Sequence, residues 1–218
     1  MVSVAENLHE HGYAFLTEYE PEAAGQEVAS SLGALLPGPL GSLHTIAPSP
    51  VDAARPNTYS GRYGYNRFPP HTDLAQHREP PNYLMLRCLR GKSEVLTTLV
   101  DGYKIVANVG PALLSRTLVQ PRRPTNGKRP LLAVWNQHTG RGRVRWDEEY
   151  LRAASSGGVE GMARMREVIQ QEAGVSVALH RRGDTLLIDN WRMLHGRSAV
   201  PSACRDRLIE RAYLEKVH

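Results

Sequence analysis

His71, Thr72 and Asp73 constrain this chain more than any other segment. On an extended stretch, residues two apart point to the same side, so His71 and Asp73 can grip one ion while Thr72 points away. Such a clip is half a site, and a fold that uses it must bring a third ligand from elsewhere. His195 is the best placed histidine for that part. It follows an apolar run and the polar turn Asn190-Trp191-Arg192, and the adjacent Gly196 leaves room near the backbone. Two imidazoles and one carboxylate on one side of an octahedral ion leave three positions open, an arrangement that points to non-heme Fe(II). An isolated His-x-Asp is ordinarily a hydrogen-bonded pair at a strand end, so the weight rests on the combination with His195 and with Arg207 further on.

The bulk properties fit one globular domain, residues 1–218. No apolar run is long enough to cross a bilayer, and the first residues are acidic where a secretory signal would be basic. A cytoplasmic location is expected. Cys88 and Cys204 form no metal-binding or disulfide spacing, and Cys88, inside YLMLRCL, reads as a small buried hydrophobe. The formal net charge of +5 permits anionic partners, and the basic residues bunch at Arg122, Arg123, Lys128 and Arg129 and at Arg141, Arg143 and Arg145. No nucleic-acid motif accompanies them, so an anionic small molecule is the expected partner and nucleic acid is not.

Pattern and punctuation lay out the rest. An amphipathic helix is expected over 21–36, with Ala24, Val28, Leu32 and Leu35 on one face and Pro37-Gly38-Pro39 as its stop. Residues 38–70 are rich in Gly, Pro, Ser and Asn with scattered aromatics, the composition of a binding loop or lid. Strands are expected over 82–89, 95–100, 131–136, 175–180, 185–189 and 207–214. Helices are expected over 102–108 and 158–172, the second burying Val159, Met162, Met165 and Ile169 and stopping at Gly174. Strands predominate and close the chain, which favours a β-sandwich or barrel with helices outside it.

In the final run RLIERAYLE, Arg207, Ile209, Arg211 and Tyr213 alternate with Leu208, Glu210, Ala212 and Leu214. If the first set faces inward, each buried guanidinium needs an anion, and a carboxylate matches it best. Turned over, the same strand leaves both arginines in water.

These residues resemble a known family. HTDLAQHREPP, TTLVDGY, DNWRMLHGR and RLIER, in that order from Pro70 to Leu214, are similar to motifs of the Fe(II)/2-oxoglutarate-dependent oxygenases of the taurine dioxygenase and γ-butyrobetaine hydroxylase (TauD/TfdA-like) type. The resemblance implies a mainly β fold with flanking helices and a double-stranded β-helix core, the jelly-roll or cupin-like form. That core would be residues 70–218 with a helical insert, preceded by an N-terminal helix and substrate loops over 1–69.

It also implies that His71, Asp73 and His195 are the iron ligands and catalytic centre, and that Arg207 binds the distal carboxylate of 2-oxoglutarate. Thr97 stands where the family often has a threonine assisting that carboxylate. The glycine pair usual upstream is replaced by Ser93-Glu94, so Thr98 stays open as the alternative. Arg211 matches an arginine that meets the acidic group of the primary substrate in the taurine dioxygenase branch. The carboxylate at Asp73 favours hydroxylation over halogenation. The implied cofactors are Fe(II), 2-oxoglutarate and O2, and the implied activity is hydroxylation of an unactivated C–H bond in a small, carboxylate-bearing molecule such as an amino acid or natural-product intermediate.

Arg62, Tyr63, Tyr65 and Asn66, just before the clip, are candidates for substrate contact, with turn formation as the ordinary alternative. His77 could replace a ligand but lacks strand context. Competing readings are a zinc-dependent hydrolase on the same triad, which leaves Arg207 idle, and a jelly-roll barrel that binds without turnover. Oxidative demethylation of nucleic acid is the reading the basic clusters would favour.

Overall fold

The computed structural model describes residues 3–124, 127–138 and 140–218. Two antiparallel sheets face each other. The larger runs, in spatial order, Tyr13–Leu16, Thr185–Asp189, Tyr83–Arg90, Leu208–Val217 and Gly33–Leu35, with His44–Ile46 also paired to Leu208–Val217. The smaller runs Val175–Ala178, Leu96–Asp101, Met193–Arg197 and Phe68–His71. Leu84, Cys88, Leu186, Ile188, Ile209 and Tyr213 of the first sheet meet Leu99 and Met193 of the second in a buried layer between them. This is the jelly-roll expected from the sequence.

Helices cover the outer faces. Val4–His11, with a Ser3–Glu6 capping box, and Gly25–Leu32 place Leu8, Val28, Ala29 and Leu32 on Met85, Leu187, Ala212 and Leu214. Gly102–Val109, Pro111–Arg116 and Ser156–Gln171 cover Val100 and Leu194 on the far side of the smaller sheet.

Several boundaries differ from the expectation for physical reasons. The helix expected over 21–36 starts only at Gly25, where Glu210 of the last strand leaves no space for a Cβ, and ends at Leu32. Residues 33–35 instead pair with that strand. On Ser156–Gln171 the buried face is Gly158, Gly161, Met162 and Met165, while Val159 is 61% exposed, because a Cβ at Gly161 would collide with Thr117 and the helix settles on its glycines. Glu172 rather than Gly174 caps it. The strand expected over 131–136 is split between two partners, Leu132–Ala133 pairing with Leu118–Pro121 and Trp135–His138 with Arg141–Val144. Inside 38–70, expected to be irregular, lie the strand His44–Ile46, the helix Tyr59–Tyr63 and the start of Phe68–His71.

Candidate metal centre and anion site

His71 ends its strand directly opposite His195, so cross-strand pairing puts both imidazoles on the inner face. A Cβ at position 196 would press on the carbonyl of Phe68 at 2.7 Å, so glycine there lets the two strands approach. The ring centroids are 4.6 Å apart. One Asp73 oxygen, Oδ1, lies 3.3 Å from His71 Nε2 and 3.5 Å from His195 Nε2. Ligand-type atoms of the three residues fall within 4.8 Å of one another. His71 Nδ1 sits 2.9 Å from the Pro69 carbonyl, which in the neutral ring makes Nδ1 the donor and leaves the Nε2 lone pair facing inward. His195 Nδ1 is buried without a partner, and the ring is held by its strand pairing, its contact with His71 and Asp73 Oδ1 on the other side.

Asp73 is fixed at both ends. Its second oxygen, Oδ2, accepts the Tyr213 hydroxyl at 2.7 Å and lies 3.5 Å from Arg211 Nη1. Its backbone is clamped by the buried Asn190, whose Oδ1 accepts the Asp73 N–H at 2.7 Å and whose Nδ2 donates to the Asp73 carbonyl at 3.0 Å and to that of Pro81 at 3.0 Å. The next residue, Leu74, has φ 55, a left-handed conformation unusual outside glycine, and it turns the chain away from the centre.

Burial by itself would raise the Asp73 carboxyl, but the hydrogen bonds from His195 and His71 and the Arg211 charge hold it well below the usual range. His195 is lowered by burial and by repulsion from His71. In His71 the desolvation is outweighed by Asp73, which raises it. Two rings that compete for one carboxylate are pushed in opposite directions. Once the Nε2 protons are lost, an ionised oxygen and two inward nitrogen lone pairs form the donor set a divalent transition metal requires, so the residues fit the implied iron.

A candidate anion site lies just before the last strand. Arg207 is 7% exposed, its Nε has no partner, and no described carboxylate pairs with it. Burial lowers its pKa accordingly. Burial, and then the charge of Arg207, push the neighbouring Arg197 down to about 10. Arg197 lies over Phe68 at 3.7 Å and donates to the carbonyls of Gly64 and Asn66. A buried guanidinium without a carboxylate is costly, and a small dianion would relieve it. Thr97 pairs with Arg197 and is two residues from Leu99, the partner of His195, so it lies on the inner face. Thr98 pairs with Gly196 and packs on Gly174 on the outer face.

Other candidates are placed as follows. Arg211 reaches Asp73, and its Nε is buried without a partner. Exposed Arg62 pairs with Glu149 at 3.3 Å, and Tyr63 donates to the same carboxylate. Tyr65 packs against Val95, Val200 and Cys204 with Arg205 over its ring. Asn66 offers Arg197 its carbonyl. The cluster Arg141, Arg143 and Arg145 turns inward: Arg141 meets Asp189 at 2.7 Å, Arg143 meets Glu79 at 2.7 Å, and Arg145 donates to the carbonyls of Ala75 and His77.

Sequence reasoning assigned no role to Tyr213, Asn190 or Tyr59. The first two carried a signal, since Tyr213 follows Arg211 by the strand period and Asn190 stands in the turn before His195. Tyr59 carried none. Its ring lies flat on His71, with centroids 3.9 Å apart and planes at 18°. Its phenol is raised by burial and by the nearby Asp147 carboxylate, so it remains a donor.

Known structures share this fold. An asparagine oxygenase bound to Fe(II), 2S,3S-3-hydroxyasparagine and succinate superposes with a TM-score of 0.64 at 19% identity, covering 84% of this chain and 60% of that one. The non-heme iron oxygenase OrfP with Fe and alpha-ketoglutaric acid gives 0.67 at 17% identity, over 95% and 76%. PvcB, an Fe, alpha-ketoglutarate dependent oxygenase from an isonitrile synthetic pathway, gives 0.65 at 16%, over 95% and 77%. The chain thus spans about three-fifths of the length of the asparagine oxygenase. No curated protein sequence matches it. The model of the taurine catabolism dioxygenase TauD, TfdA family matches residues 2–213, nearly the whole chain, and the protein belongs to that family.

Proposed function

We propose that this protein is an Fe(II)- and 2-oxoglutarate-dependent oxygenase acting through one domain, residues 1–218, on a small anionic molecule such as an amino acid or natural-product intermediate. The observation that carries this reading is the pairing of an inward His-Asp-His set with a buried, unpaired arginine. His71, Asp73 and His195 would hold the metal and Arg207 the distal carboxylate of 2-oxoglutarate, assisted by Thr97. Bound there with O2, these groups would supply an oxidant for an unactivated C–H bond, 2-oxoglutarate going to succinate and carbon dioxide.

The chain's own part is positioning. Asp73 presents Oδ1 while Tyr213 and Arg211 occupy Oδ2, which favours one-oxygen ligation and leaves coordination positions open. Arg211 keeps a free Nε for a substrate anion. Arg62 is a candidate at the mouth of the neighbouring cleft, and Tyr65 and Asn66 support the loop through packing and a carbonyl. Two of the solved structures of similar fold carry amino-acid products, 2S,3S-3-hydroxyasparagine for the asparagine oxygenase and (3S)-hydroxy-L-Arg for OrfP, which supports a substrate of that general kind. No helix among the described residues is long and apolar enough to cross a membrane.

Anaerobic titration of the apoprotein with Fe(II) and 2-oxoglutarate tests the reading. A weak visible band is expected only with both present, at much higher 2-oxoglutarate in Arg207→Ala. Metal binding without the band would instead favour a hydrolase or a non-catalytic barrel.

A further inference from the structure

A cleft of about 750 Å³ opens beside Tyr59, bounded by the segments 56–62, 121–124 and 148–150. Its charges do not cancel. Glu148 is neutralised by Arg166 at 2.7 Å, and Glu149 by Arg62 and the Tyr63 hydroxyl. Arg122 spends its guanidinium on the backbone carbonyl of Glu148, which leaves its charge uncompensated. Arg123 is exposed and pairs with no described carboxylate. One wall therefore presents two net positive charges.

At the deep end lie Tyr59 and Gln76. Gln76 Oε1 is buried without a hydrogen-bond partner, an arrangement proteins avoid unless a ligand or water completes it, and the buried Tyr59 hydroxyl faces the Asp147 carboxylate. Tyr59 also joins the cleft to the metal centre, since its ring rests on His71. A volume of this size belongs to ligands well above a free amino acid.

We propose that the cleft seats the distal part of the substrate, which is an extended molecule larger than a free amino acid, with a polar group at Tyr59 and Gln76 and an oxyanion against Arg122 and Arg123. This rests on the oxygenase reading for the word substrate, while the binding site stands on its own geometry. It places specificity in residues outside the metal and 2-oxoglutarate sites.

Fluorine NMR on the Zn(II)-loaded protein, without oxygen or 2-oxoglutarate, tests it with N-(4-fluorobenzoyl)glycine as carboxylate probe, 4-fluorobenzyl phosphate as phosphate probe and N-(4-fluorobenzoyl)glycinamide as neutral control. Saturable binding of at least one anion is expected, and the stronger of the two identifies the oxyanion. Arg122→Ala/Arg123→Ala should weaken it about tenfold or more, Tyr59→Phe severalfold, and Arg181→Ala, an exposed cation paired with Glu18, not at all. With Mn(II) in place of Zn(II) the bound fluorine signal should broaden. Equal binding of the neutral control, binding indifferent to the double variant, no saturable binding of either anion, or no broadening with Mn(II) bound would each overturn the proposal. Failure of the metal reading shows separately, as absence of Mn(II) binding by electron paramagnetic resonance.

Discussion

Tyr213→Phe removes one oxygen atom and tests how the metal centre is held. The Tyr213 hydroxyl is buried and donates at 2.7 Å to Asp73 Oδ2, while Oδ1 faces both imidazoles. A hydrogen bond to a charged group contributes about 1.5–3 kcal/mol. Arg211 at 3.5 Å is too far to replace it by a direct hydrogen bond. With the donor gone, the carboxylate can rotate toward two-oxygen ligation or toward Arg211, and the metal loses a preorganised oxygen. Partners of ligating groups typically account for about 10–100-fold in metal affinity. The expected result is a Kd for Mn(II) raised by about that factor in a competition titration against a chelating dye. The metal-induced gain in stability at saturating metal should shrink by about 1.4–2.7 kcal/mol, the same factor expressed through binding linkage. Phenylalanine fills the same space in the core beside Ile209 and Leu84, so the fold should persist. A folded variant that binds Mn(II) within twofold of the parent would refute the reasoning, because it would mean that strand pairing alone orients Asp73.

Arg207→Met should abolish the low-concentration response to 2-oxoglutarate yet stabilise the apoprotein by about 1–4 kcal/mol, since it replaces an unpaired buried cation; denaturant melts showing a loss would contradict that account. Asn190→Ala deletes three hydrogen bonds and should cost about 3 kcal/mol in the same assay, and a loss under about 1 kcal/mol would show the clamp on Asp73 to be dispensable. Asp147 is raised to about 6 by burial, so the folded state holds its proton more tightly than the unfolded chain and the group loses stability as pH climbs from about 4 to 6. Asp147→Asn keeps an oxygen for the Glu149 and Tyr150 amides, and its stability advantage over the parent apoprotein should grow across that window to on the order of 2 kcal/mol. A pH-independent difference in urea melts would contradict the assignment.

How much of the site was legible follows from strand period. His71 and Asp73 stand two apart, Arg207 and Arg211 four apart; His71 closes its strand with Asp73 in the turn just beyond, and Arg211 lies in the last strand with Arg207 as the residue before it. What the period could not settle was the direction of the last strand. It is central, with Tyr83–Arg90 on one side and Gly33–Leu35 and His44–Ile46 on the other, and helices cover its second face. Both faces are therefore buried, and alternation carries no inside-outside signal. Even Glu210, on the face away from the metal, is buried and held by Arg87 at 3.6 Å.

The same ambiguity hid the inward turn of Arg141, Arg143 and Arg145, which in sequence resemble a basic surface. Their partners, Asp189, Glu79 and the carbonyls of Ala75 and His77, come from segments distant in sequence, so no local pattern could reveal the pairing. Tyr59 is the extreme case: a tyrosine in a Gly/Pro/Ser-rich stretch reads as a turn residue, and only the packing of 59–63 against the strand at His71 gives it a role. Two of the three candidate ligands, His71 and Asp73, come close together from one stretch of backbone, and His195 arrives from the paired strand. Residues of the proposed substrate cleft reach it from separate segments, and for that reason the candidate metal ligands were readable here and the cleft was not.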